Sequence, residues 1–120
     1  MSLRWNCEKQ GCYKDECLPD WGCYDGCFPR GIRPTDVDGA LEINGRFLFL
    51  EAKPSHSVTA GQMTMFRRLA ALPDATVIIE TRPASDTRDW LILDGIRAEE
   101  WQTITLEQAR EWLEWWSSYR

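Results

Sequence analysis

The dipeptide Asn44-Gly45, set between the apolar stretches Ala40 to Ile43 and Arg46 to Ala52, constrains this chain more than any other feature. Both residues accept the positive φ that a type I′ turn demands, so the pair predicts a two-residue β-hairpin. The register then follows by arithmetic. Ile43 faces Arg46, and every opposed pair has residue numbers summing to 89, which sets Ala40 against Phe49, Asp38 against Glu51 and Asp36 against Lys53. Directly opposed residues share a face and side chains alternate with a period of two. Asp36, Asp38, Glu51 and Lys53 are therefore expected on one face at the open end of the hairpin.

The second strand is apolar on both faces from Phe47 to Leu50, the pattern of a strand central in its sheet. Ending such a strand in Glu51 and Lys53 costs desolvation unless each charge is paired or bound to a cation. Two carboxylates about 5 Å apart across a strand pair repel one another. A hard divalent cation such as Mg²⁺ or Mn²⁺ relieves that repulsion, with oxygen ligands and several retained waters. The plain alternative is a surface salt-bridge network joining Asp36, Lys53 and their neighbours.

Downstream, Pro54 ends the strand. A helix is expected from Thr59, whose hydroxyl caps the amide of Gln62 while Gln62 reaches back. Met63, Phe66, Leu69 and Ala70 give it an apolar stripe, and Pro73-Asp74 ends it. Thr76 to Glu80 reads as a buried strand, Arg82-Pro83 as a turn, and Trp90 to Leu93 and Trp101 to Ile104 as strands. A final helix begins at Thr105, with Gln108 completing a second capping box. Its residues Trp112, Trp115, Trp116 and Tyr119, with Leu106, Ala109 and Leu113, cover about half of its circumference, wider than one core-facing stripe needs. Core filling is the first reading of these tryptophans, a partner surface such as a homodimer the second, and base stacking the third.

Five cysteines, Cys7, Cys12, Cys17, Cys23 and Cys27, fall in the first quarter of the chain, and no other follows. An odd count without an export signal argues against a disulfide framework. Four of the five suffice for a tetrahedral thiolate site for structural Zn²⁺; an iron–sulfur cluster is the alternative, and metal-free thiols a third. Residues 1–33 are therefore expected to form a Cys-rich, metal-stapled segment, since so irregular a stretch buries too little apolar surface alone. His56, the single histidine, reads as an exposed loop residue or an additional ligand to one of the two metals.

At 120 residues the chain has room for one core. A net charge of −5 argues against a protein that lives by non-specific attraction to phosphates, though carboxylates that bind a cation contribute to that count. Basic residues group at Arg30 and Arg33 and at Arg67 and Arg68, where phosphate contact competes with simple solvation. No apolar run spans a bilayer and no signal peptide is read, so a cytoplasmic location without membrane association is expected.

Taken together, Pro34-Thr35-Asp36-Val37-Asp38-Gly39, then Phe47-Leu48-Phe49-Leu50-Glu51-Ala52-Lys53, then Gly61-Gln62, resemble the PD-(D/E)XK nuclease superfamily, in the style of its small phage- and bacterial-type members. The resemblance covers about 50 residues, from 34 to 80. It implies an α/β, restriction-endonuclease-like core over residues 34–120, a mixed β-sheet flanked by helices. It also implies Mg²⁺- or Mn²⁺-dependent hydrolysis of DNA, either endo- or exonucleolytic. Asp38 and Glu51 match the metal-binding acids, with the backbone carbonyl of Ala52 as a further ligand. Lys53 matches the catalytic lysine and Gln62 the helix glutamine that supports the site, a role that competes with simple capping. Asp36 is open between an outer partner of Lys53, a second-metal ligand and the primary acid. The family core usually begins with a helix, sometimes carrying a further Glu. Here the cysteines occupy that place, and Glu8 and Glu16 are only weak candidates. The other reading is a nuclease-fold protein without catalysis, acting as a nucleic-acid- or protein-binding regulator.

Overall fold

A five-stranded mixed sheet organises the larger part of the chain, in the order β1 (Gly39–Ile43), β2 (Arg46–Ala52), β3 (Ala75–Ala84), β4 (Thr87–Leu93), β5 (Gln102–Thr105). Helix α1 (Ala60–Ala70) joins β2 to the parallel β3, and α2 (Leu106–Ser118) follows β5. The structure, a computed structural model, describes residues 21–35 and 37–118. The chain divides into two units, Met1–Thr35 and Asp36–Arg120.

The hairpin has the register its turn dictates. Ile43 pairs with Arg46 and each further pair follows to Gly39 with Leu50, while Asn44 and Gly45 take φ of 53° and 83°, the positive values of a type I′ turn. β2 is hydrogen-bonded on both sides, antiparallel to β1 and parallel to β3. Side-chain alternation along the strands sorts the core into two layers. On one face Phe66 and Ala70 of α1 pack with Val77, Ile79, Leu91 and Leu93, flanked by Phe49, Val58, Met63 and Trp101. On the other, Ala109 and Trp116 of α2 pack with Leu48, Ile78, Trp90 and Ile92. Each fully buried large side chain, such as Phe66, contributes roughly 1.5–3 kcal/mol.

Helix ends follow local chemistry. The Thr59 hydroxyl accepts the Gln62 amide at 3.2 Å, and at α2 the Thr105 and Gln108 pair closes a full reciprocal box at 3.0 and 2.9 Å. α1 stops because Leu72 precedes Pro73, which disfavours helical backbone, and Asp74 then turns with φ 64°. The predicted turn at Arg82-Pro83 lies instead inside β3; the chain reverses at Ser85-Asp86, with Ala84 paired to Thr87. Pro83 sits where the register shifts between Thr81 and Ala84, an irregularity that tolerates a residue without an amide hydrogen.

The tryptophans of α2 divide. Trp116 is buried beneath the Arg46 guanidinium, 4.2 Å from its ring centroid, and Trp112 meets Trp90 edge to face at 5.7 Å. Trp115 is exposed, and Tyr119 lies outside the described residues. In the first unit, short 3₁₀ turns span Gly22–Tyr24 and Pro29–Gly31, with Arg33 3.5 Å from Asp25. Among the described residues no helix is long and apolar enough to cross a membrane.

Candidate functional site

The parallel strands β2 and β3 run side by side to the C-terminal end of β2, at Ala52 and Glu80, where the chain leaves β2 for α1. Crevices outside the carboxyl ends of strands are where open α/β sheets place ligands. Glu51 and Lys53 stand at this end of β2, and the ladder continues past the strand through the Lys53 amide, which donates to the Glu80 carbonyl at 2.9 Å. Phe49 packs in the α1 layer, so by alternation Glu51 and Lys53 face α1 as well. The Lys53 ammonium donates to Gln62 Oε1 on the first turn of α1 at 2.8 Å. Among the described residues Lys53 forms no ion pair. Its partner is a neutral amide, and on the same strand face stands Glu51, which is 6% exposed.

Gln62 thus takes part in two arrangements. Its backbone amide is capped by Thr59, while its side-chain oxygen, expected to reach back to the cap backbone, instead accepts from Lys53 and from the Thr59 hydroxyl at 3.3 Å. One residue joins the start of the helix to the end of the strand.

Asp38 lies one step beyond the Gly39–Leu50 pair, level with Glu51. Its Oδ2 accepts the Ala52 amide at 2.8 Å, taking the place of a backbone carbonyl and extending the hairpin by one rung. This direction differs from the simple projection beside Glu51 that the register alone suggests. Oδ1 makes no hydrogen bond among the described residues. Asp36 lies outside the described residues, as do Cys7, Cys12 and Cys17; Cys23 and Cys27 are free, exposed thiols.

A second polar array on the same face was not anticipated. Thr81 pairs with Asp89, and Asp89 with Thr103, so a row of residues crosses the sheet from the end of β2. Asp89 accepts the Thr103 hydroxyl at 2.7 Å on Oδ1 and meets His56 Nε2 at 2.8 Å on Oδ2. The Thr103 hydrogen bond, then that of His56, holds the Asp89 carboxyl below the ordinary carboxylate range. The His56 ring lies flat on Trp101, with centroids 4.0 Å apart and planes within 3°. His56 is an exposed loop residue, its side chain 48% exposed, whose ring is nonetheless held by these contacts.

The basic residues are partly accounted for. Arg67 is clamped to Glu99 through three hydrogen bonds of 2.9 to 3.0 Å, and this pairing holds its guanidinium proton more tightly than usual. Arg68 and Arg30 are exposed.

No three His, Cys, Asp or Glu side chains among the described residues gather into a group that could hold a metal ion. Asp38 and Glu51 stand level at the ends of adjacent strands and offer two carboxylates, fewer than such a group. Mg²⁺ commonly takes one or two carboxylates and completes its shell with water and substrate phosphate. The hard oxygen donors therefore fit a substrate-completed cation, not a closed protein cage. Compared with known protein families, curated proteins and solved structures, the chain has no match.

Proposed function

We propose that residues 34–120 are the core of a PD-(D/E)XK-type nuclease that hydrolyses DNA phosphodiester bonds with Mg²⁺ or Mn²⁺. The observation that carries this reading is the Lys53 ammonium, held at 2.8 Å by the neutral Gln62 amide and paired with no carboxylate among the described residues, next along the strand face to buried Glu51. A purely structural lysine at such a place would be expected to neutralise a carboxylate. Among the described residues this one meets only the neutral Gln62 amide, which supports a role toward a ligand.

In this reading Glu51, Asp38 and the Ala52 carbonyl would hold the cation, which when bound polarises the scissile phosphate and lowers the pKa of water. Lys53 orients the attacking water and stabilises negative charge on the phosphate, and Gln62 fixes the ammonium's position. The first turn of α1 offers backbone amides to an anion, and open space surrounds the α-carbon of Gly61 there. The cation offsets an acidic chain of net charge −5, which otherwise repels DNA. Residues 1–33 are proposed to hold a structural Zn²⁺ on four of their five cysteines, which elemental analysis of the purified protein tests directly.

The test is cleavage of linear, nicked, branched and single-stranded DNA by the purified full chain with Mg²⁺ and with Mn²⁺. Glu51→Ala and Lys53→Ala, each folded, should lose activity. Equal cleavage by wild type and both variants would refute the assignment. The second reading, a nuclease-fold protein that binds without turnover, is favoured by one observation: the Asp38 oxygen committed to the Ala52 amide. It expects a tight complex with nucleic acid or protein and no metal-dependent product.

A further inference from the structure

We propose that His56 is the general acid of this site, protonating the oxygen that leaves phosphorus. The inference rests on the nuclease reading and adds a proton donor to that site. An exposed histidine in a loop ordinarily samples several rotamers. His56 is instead fixed by three groups remote in sequence: Asp89 at 2.8 Å on Nε2, Thr103 securing Asp89 at 2.7 Å, and Trp101 stacked at 4.0 Å beneath the ring. A proton-transfer group oriented by a second residue, itself oriented by a third, is the arrangement by which proteins aim an imidazole.

With Nε2 committed to Asp89, Nδ1 makes no hydrogen bond among the described residues, and the side chain remains 48% exposed. Nδ1 is therefore the nitrogen that can exchange a proton with a ligand. Asp89, from β4, is the titratable side chain in contact with the ring. Trp101 and Thr103 are uncharged, and Lys53, at the head of the same loop, is engaged by Gln62. The carboxylate and the indole face together fix the plane and direction of the ring.

Lys53 reaches the ladder position beside Thr81 through its bond to Glu80, and Thr81 pairs with Asp89. Two strand spacings, about 10 Å, separate the backbones of Lys53 and Asp89, and both side chains lie on the α1 face. Water oriented by Lys53 attacks phosphorus and releases its proton to solvent, and the bond from phosphorus to the ester oxygen breaks. The His56 Nδ1 proton passes to that oxygen, yielding an alcohol and a phosphate monoester. His56 recovers a proton from solvent.

The test compares DNA with a p-nitrophenyl phosphodiester, whose leaving nitrophenolate needs no proton. Wild type, His56→Gln, Asp89→Asn and Lys53→Ala are assayed as full chains, with circular dichroism confirming the fold. His56→Gln should lose about 10²- to 10⁴-fold on DNA and change little on the nitrophenyl ester, while Lys53→Ala fails on both. Asp89→Asn loosens the ring that Asp89 orients, so it should lose rate on DNA while changing little on the nitrophenyl ester. His56→Gln acting like wild type on DNA, or falling equally on both substrates, overturns the general-acid role and leaves the nuclease reading standing. A wild type that cleaves neither substrate overturns both.

Discussion

Two carboxylates end up on opposite faces of the sheet within one residue step of each other, and their surroundings differ in kind. Glu80, paired with Ala52, faces the α2 layer. It accepts the Trp90 indole hydrogen at 3.0 Å and the Arg82 guanidinium at 2.9 Å, with Arg88 at 3.5 Å. Arg88, 8% exposed, also donates to the carbonyls of Ala84, Ser85 and Thr87, tying the carboxylate to the β3–β4 turn. Across the sheet, the cation beside Glu51 is given to a neutral amide, and the carboxylate opposite takes a backbone hydrogen. The first cluster closes on itself. The second, among the described residues, sets its cation against a neutral amide and not a carboxylate, and this contrast separates a structural ion cluster from a candidate site better than the number of charged residues does.

The largest expected effect lies on the α1 face. Lys53→Ala and Glu51→Gln should reduce metal-dependent cleavage by about 10²-fold or more, measured as single-turnover rates on oligonucleotide DNA, while Glu80→Ala retains the wild-type rate once its folded fraction is counted. A Glu80 variant that is folded yet inactive would erase the distinction between the faces.

Stability should show the reverse order. Glu80→Ala leaves the Trp90 indole hydrogen without its acceptor and largely buried Arg88 without its carboxylate, which should cost about 2–3 kcal/mol, read from urea unfolding. Gln62→Ala should leave stability nearly unchanged, because the Thr59 cap binds its backbone amide and survives the substitution. With the ammonium no longer positioned, cleavage should fall roughly tenfold to a hundredfold. A large stability loss with intact activity would make Gln62 a structural residue only.

What could be read before folding depended on how far apart the partners lie. The Asn44-Gly45 turn allows one register, so every pair from Ile43 to Gly39 and the full extent of β2 followed from local geometry. The caps at Thr59 and Thr105 involve residues three apart and were equally legible. The order of strands beyond the hairpin is a tertiary property. That is why His56 and Asp89, 33 residues apart, and Asp89 and Thr103, 14 apart, left no local signature. Asp38 shows the intermediate case. Register placed it level with Glu51, but the choice of the Ala52 amide by its carboxylate depends on where β1 ends. Pro83 misled because proline marks turns and irregular strand edges alike.

The smallest effect concerns titration of the α1 face itself. The Asp89 carboxyl lies below its ordinary value through the Thr103 hydrogen bond first and His56 second. A carboxyl depressed on folding adds stability that is fully present above its unfolded pKa, near 3.9, and is lost as pH falls through the folded value. Carbon-13 titration should therefore find Asp89 still ionised where an unperturbed aspartate has begun to protonate. Thr103→Val should return it further toward the ordinary value than His56→Gln does. The opposite ranking would mean that the imidazolium charge, not the hydroxyl, holds the carboxylate, and that Thr103 is dispensable for aiming His56.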